Sequence, residues 1–168
     1  MLKKILTKSL FVYSFLCFSC SESSNKTDDN VKNSGDTSKE IVPAVIQIRE
    51  LSGKTVENVE SIIGKGKLES KWKDERAGCI DCPKYVYKNG SIEVIYIKGV
   101  ADRITLTGLS QYNYPQGGLQ ALGIDSTNAE FSNDIVTRWR SVPGFLEISA
   151  FNGLNNKVDY VLVKTKAE

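Results

Sequence analysis

The sequence predicts an α+β domain in which two tandem units, each a helix followed by a β-meander, join into one antiparallel sheet with the helices on one face. Three observations carry this. Residues 84–106 contain three runs rich in β-branched and aromatic side chains, around Tyr85-Val86-Tyr87, from Ile92 to Ile97 and from Arg103 to Leu106. They are parted by Asn89-Gly90 and by a connection containing Gly99, the pattern of a three-stranded meander. A helical pattern precedes them, and the second half of the chain restates the order.

The domain opens at residues 41–51, where Val45, Ile46 and Ile48 suggest a short strand. Ser52-Gly53-Lys54-Thr55 then looks like the end of a phosphate-binding loop. That motif needs a glycine five positions before Gly53, and Ile48 stands there, so the loop cannot cradle a phosphate. Thr55 reads instead as a helix N-cap, with Glu57 at the positive end of the dipole and Val56, Val59, Ile62 and Ile63 on one face. Gly64 is expected to end the helix in a left-handed conformation.

In the second half, residues 118–123 match the end of this helix, with Leu122-Gly123 on Ile63-Gly64. Residues 145–153 match residues 91–99, which places Glu147 on Glu93 and Gly153 on Gly99. After a small insertion, residues 158–163 match residues 101–106, with Asp159 on Asp102. A repeated order of helix, strand, glycine turn and strand gives units of about 44–109 and 110–168.

Ahead of the domain, Met1-Leu2-Lys3-Lys4 is a charged start and residues 5–18 are mainly apolar. At roughly 14 residues and ~1.5 Å per residue the stretch is too short to span a bilayer and reads as a signal peptide, residues 1–19. Ser19-Cys20 resembles the acceptor site of a bacterial lipoprotein, in the looser form familiar in Bacteroidetes-type lipoproteins. That resemblance implies acylation of Cys20 and attachment to the cell envelope, as an outer-membrane lipoprotein facing either the periplasm or the outside; several acyl chains make a stable anchor. The other reading is a secreted protein cut nearby, with Cys20 an ordinary thiol. Residues 20–43 then form a polar tether with too little apolar surface to order itself.

Composition excludes several functions. The 168-residue chain has no histidine. This removes Ser-His and Cys-His nucleophile pairs, imidazole metal ligands and the usual general base near neutrality. No carboxylate pair is singled out by spacing, so neither catalysis nor a cofactor is expected. Once Lys3, Lys4 and Lys8 leave with the signal peptide, 19 basic residues face 20 acidic ones, and nothing argues for nucleic acid as partner.

Gly53-x-Thr55-x-x-x-Val59-x-x-x-Ile63-Gly64 followed by strands, and its repetition, resemble the helix-then-antiparallel-sheet unit of the SmpA/OmlA-type lipoproteins of the outer-membrane β-barrel assembly machine and of the β-lactamase inhibitor protein. The resemblance implies a non-catalytic module that presents a sheet to another envelope protein or to a ligand. No partner-contacting residue of those families finds a matching position here.

Two features are candidates for chemistry. Cys79-Ile80-Asp81-Cys82 has redox spacing, but Pro83 and a strand follow it instead of a helix that would lower a thiol pKa. A disulfide bracing the strand-connecting loop, free thiols and a thiol-disulfide activity all remain open, while two thiolates without histidine fall short of a zinc site. The second feature is aromatic: Trp72, Tyr85, Tyr87, Tyr96, Trp139, Phe145, Phe151 and Tyr160 lie on predicted strands. Alternation places Glu93, Ile95, Arg103, Glu147, Phe151 and Tyr160 on one sheet face, a mixed aromatic and charged surface of the kind used in protein interfaces. The competing expectation is that such aromatics pack against one another, and a small-ligand pocket between helix and sheet stays possible.

Overall fold

The computed structural model describes residues 42–165; the signal peptide, Cys20 and most of the tether lie outside them. Within them the order is α1 (Ile48–Leu51), α2 (Val56–Ile63), β1 (Lys67–Asp74), β2 (Cys79–Tyr87), β3 (Ile92–Ile97), β4 (Val100–Thr107), α3 (Gly117–Ala121), β5 (Phe131–Ser132), β6 (Val136–Trp139), β7 (Phe145–Asn152) and β8 (Val158–Thr165). All eight strands form one antiparallel sheet in the order β1-β2-β3-β4-β8-β7-β6-β5. The protein is therefore mixed α+β, mostly sheet, with a few short helices. Among the described residues, no helix is long and apolar enough to cross a membrane.

The predicted strand at residues 41–51 is not formed. Val45 is exposed, and the backbone N–H groups of Val45 and Ile46 both donate to the Ala121 carbonyl before the chain turns into α1. Ile48 and Leu51, three apart, are both fully buried, a spacing that one helical turn satisfies and a strand does not. Helix α2 forms where the sequence indicates: the Asn58 N–H donates to the Thr55 hydroxyl and Val59 and Ile63 are buried, but Ile62, expected on the same face, is exposed. Burying each such side chain is worth about 1.5–3 kcal/mol. Gly64 does end the helix at positive φ, but with φ 91° and ψ 172° it leaves in an extended direction and not in the left-handed helical one.

The meander starts earlier than residue 84. β2 begins at Cys79, and β1 lies outside it as an edge strand whose side chains are mostly exposed. Its alternation of Lys, Glu and Ser with Leu68 and Trp72 is a weak strand signal of the type edge strands carry. The β3–β4 turn uses only Lys98 and Gly99, both at positive φ (54° and 84°), the conformation a two-residue hairpin requires.

One of the matches expected from the sequence is displaced. Phe151 stands opposite Tyr160 just as Ile95 stands opposite Arg103, and an irregularity follows each pair, between Ile95 and Tyr96 and between Phe151 and Asn152. With Tyr160 matched to Arg103, Ser149 corresponds to Glu93, so Glu147 sits two residues away from the position the sequence match gave it. The longer β7–β8 connection hides this offset in the sequence. Because a strand's side chains repeat every two residues, the displacement keeps Glu147 on the same face.

The main core gathers Ile48, Leu51, Val59, Ile63, Leu119 and Leu122 from the helical segments with Ile92, Val94, Tyr96, Ile104, Leu106, Ile148, Val161 and Val163 from the strands. Gly118 of α3 lies directly against Ala150 and Val161. At the heart of this core the Tyr87 and Tyr96 hydroxyls hydrogen-bond at 2.6 Å, each residue about 1% exposed. Burial raises the pKa of both phenols.

Candidate binding face

Over Ile92–Tyr96 of β3, Asp102–Leu106 of β4 and Tyr160–Thr165 of β8, buried residues alternate with half-exposed ones. The half-exposed set forms a second face, and the cross-strand register fixes its rows. One row runs Lys84, Ile95, Arg103, Lys164, Glu147. The next runs Val86, Glu93, Thr105, Leu162, Ser149, Arg138. A third runs Thr107, Tyr160, Phe151, Val136. All six residues that alternation assigned to this face, Glu93, Ile95, Arg103, Glu147, Phe151 and Tyr160, thus lie in three successive rows.

Their chemistry divides into ion pairs and an aromatic stack. The Glu147 carboxylate accepts from Lys164 Nζ (3.0 Å), Arg140 Nε (3.0 Å) and Ser149 Oγ (3.2 Å). Burial pushes its pKa up, but the Lys164 and Arg140 hydrogen bonds outweigh this and hold it below the ordinary value. Lys84 lies 2.5 Å from Glu69 and 3.3 Å from Glu93. The Glu69 hydrogen bond raises the Lys84 pKa against the opposing effect of burial. Arg103 pairs with Asp102, which is buried. Burial lowers the Arg103 pKa, while Asp74 and Glu147 oppose that shift. Phe151 and Tyr160 stack with ring centroids 4.2 Å apart and planes 13° from parallel.

Ile95 is less available than its position suggests. Together with Trp72 and Ala77 it packs on a small cluster of Cys79, Cys82 and Ile97. Cys79 and Cys82 are joined in a disulfide, S–S 2.04 Å. The bridge lies inside β2, not in a loop between strands as expected. Cys79 is 1% and Cys82 8% exposed, and the chain continues as strand through Pro83. Of the other aromatics, Tyr87, Tyr96, Trp139 and Phe145 belong to the main core, as the competing expectation had it.

Lys164, Arg138 and Arg140 were not singled out from the sequence, although extending the alternation from Tyr160 through Leu162 reaches Lys164. Arg138 depended on recognising β6, a four-residue strand whose only strong signal is Trp139. Its guanidinium sits 5.7 Å from the Phe131 ring, and its Nε is buried without a hydrogen-bond partner among the described residues.

Two recesses open on the surface. One, about 750 Å³, is lined by Ile63, Lys65, Tyr87 and the β2–β3 turn and reaches Glu69, Val86 and Glu93 at the edge of the candidate face. The other, about 650 Å³, lies between residues 42–44 and α3. Several of its polar groups are already engaged: Gln120 donates to the Val42 carbonyl, Gln116 to that of Thr127 and Tyr112 to that of Pro43. No family model, curated protein or solved structure matches this chain.

Proposed function

We propose that this is an exported lipoprotein, anchored through Cys20 and lacking catalytic activity, whose domain recognises an envelope protein through the half-exposed sheet face. The observation that carries the reading is the Phe151–Tyr160 stack, left half-exposed on the same face as the ion pairs, with the alternate residues of β3, β4 and β8 behind it, among them Val94, Ile104 and Val161, buried. Stacked aromatics among charges suit a protein contact, since they supply large apolar area at little entropic cost.

The domain is read as two helix-plus-meander units, α2 with β1–β4 and α3 with β5–β8, with the helices on the buried side of the sheet. Support comes from the β4–β8 register. If Arg103 is matched with Tyr160, the pair Arg103–Lys164 exchanges with Thr107–Tyr160, Ile104–Val163 exchanges with Leu106–Val161, and Thr105–Leu162 maps onto itself. The strand order is likewise what two four-stranded meanders give when joined through their last strands.

The thiol-disulfide reading has the burial of both cysteines against it, because a redox pair needs an exposed thiolate at its attacking sulfur. Against ligand binding between helix and sheet stands the packing of Val59 and Ile63 of α2 into one core with Val94 and Ile104; the recess beside Ile63 and Tyr87 lies at the end of that helix.

The test is capture from envelope extract by the full chain in detergent. A partner held by this face is captured by the parent and by Ile62→Asp, which changes an exposed site on α2, and is lost from Tyr160→Asp. Equal capture by the parent and Tyr160→Asp sinks the reading, as does capture that requires Cys79 and Cys82 and yields mixed disulfides.

A further inference from the structure

Arg103 and Lys164 stand directly opposite each other at the β4–β8 junction, in the middle of the half-exposed face. Like charges in that relation are unfavourable. Their acidic neighbours are spoken for: Glu147 is shared between Lys164 and Arg140, Asp102 lies buried beside Arg103, and Asp74 accepts from the backbone N–H groups of Arg76 and Ala77. The Arg103 side chain is 15% exposed and that of Lys164 36%. A guanidinium has five donors and an ammonium three. Among the described residues, only Asp102 bonds to the Arg103 side chain and only Glu147 to that of Lys164. Several directed donors of both cations are therefore unused.

Resting on the recognition reading above, we propose that Arg103 and Lys164 form a seat for one carboxylate side chain of a protein partner, while the Phe151–Tyr160 stack receives an apolar or aromatic side chain of the same segment. Tyr160 lies four residues from Lys164 along β8, roughly 13 Å at about 3.3 Å per residue. An extended partner segment bridges that distance with an acid and an apolar residue separated by three positions. The face does not suit a polyanion. Glu147 ends the row that holds Arg103 and Lys164, and Glu93 lies in the adjacent row, so a run of phosphates would meet carboxylates on both sides of the two cations, whereas a single carboxylate would meet the cations alone.

The experiment is selection of a random twelve-residue displayed peptide library on the full chain in detergent, followed by affinity measurement of the enriched peptides. The expected peptides carry Asp or Glu with an aromatic or large aliphatic residue four positions away. Replacing that acid by its amide should weaken binding at least about tenfold, the scale of a charge-assisted hydrogen bond. Lys164→Gln should do the same, and Lys98→Gln, on the β3–β4 turn, should not. Because Arg103→Gln alone would orphan the buried Asp102, the second variant is Asp102→Asn with Arg103→Gln, which should also lose binding while keeping the parent's unfolding midpoint to within about 1 M urea.

If the peptides compete at the face, being lost on Tyr160→Asp, but are indifferent to their acid or to Lys164, the carboxylate seat is wrong and the recognition reading stands. If no enriched peptide is sensitive to Tyr160→Asp, the recognition reading itself falls. If instead vesicles of phosphatidylglycerol bind in a Lys164-dependent way and the acidic peptides do not, the seat belongs to a lipid headgroup and the proposal is overturned.

Discussion

Replacing Tyr87 or Tyr96 by Phe singly should cost far more than replacing both. The two hydroxyls bond only each other among the described residues, at 2.6 Å, in side chains about 1% exposed. Removing one oxygen forfeits a net bond worth about 1 kcal/mol and strands the other hydroxyl without water, for a total of about 1–3 kcal/mol. Removing both leaves two rings of unchanged shape in an apolar setting, so the double variant should lie within about 1 kcal/mol of the parent. The coupling in the cycle is then about 1–3 kcal/mol in favour of the double. Urea unfolding followed by tryptophan fluorescence reads this directly, since Trp139 is fully buried. With a slope of about 1–3 kcal/mol/M, a 2 kcal/mol loss moves the midpoint by about 1 M. Additive losses, with the double variant as weak as the sum of the singles, would refute the buried pair. Alkaline pH gives a second reading of the same contact. Burial raises both folded-state pKa values above the unfolded value of about 10, so this contribution is complete below pH 10 and is lost as pH rises through the folded values. The double Phe variant should resist alkaline unfolding better than the parent.

Glu147 has a folded-state pKa held below its unfolded value, so its contribution is present above about pH 4.3 and is lost as pH falls. The stability gap between the parent and Glu147→Gln, measured in urea, should therefore shrink from pH 7 to pH 3; a gap that grows would contradict the assigned ion pairs. Cys79→Ala with Cys82→Ala should lower stability by about 2 kcal/mol, the entropic value for so short a loop, and leave a cooperative unfolding transition. Gly118→Ala ought to gain from helix propensity, but its Cβ would lie 2.6 Å from that of Ala150. Overpacking, at about 1–3 kcal/mol, outweighs the roughly 0.5–1 kcal/mol of propensity, so net destabilisation is expected, and Ala150→Gly in the same chain should recover part of it.

Much of the architecture was legible because its signals are local. Thr55 caps α2, Lys98-Gly99 closes a two-residue turn, and the apolar runs of β3, β4 and β8 alternate over their central residues. What was lost depended on partners distant in sequence. Val45, Ile46 and Ile48 carry the apolar pattern of a strand, yet their backbone N–H groups donate to the Ala121 and Leu122 carbonyls, far along the chain. β1 and β5 are edge strands whose exposed side chains give no buried stripe to detect. Alternation put six residues on one face, and the register sets them in three successive rows, because a period of two survives the two-residue displacement of Glu147. The roles of Lys164, Arg138 and Arg140 become visible only once the β6–β7–β8 register sets them beside Glu147 and Ser149. The depth of Cys79 likewise depends on Trp72, which reaches it from the neighbouring strand.

Recognition through the sheet face is tested most directly by site-specific photo-crosslinking in the cells that make the protein. A benzophenone side chain is placed at position 160, on the aromatic stack, or at position 62, on the exposed side of α2, in the otherwise unaltered chain. The expected result is a discrete protein adduct from position 160, abolished by Lys164→Gln, and none from position 62. An adduct that forms from position 62 and not from position 160, or no adduct from either, would contradict the account.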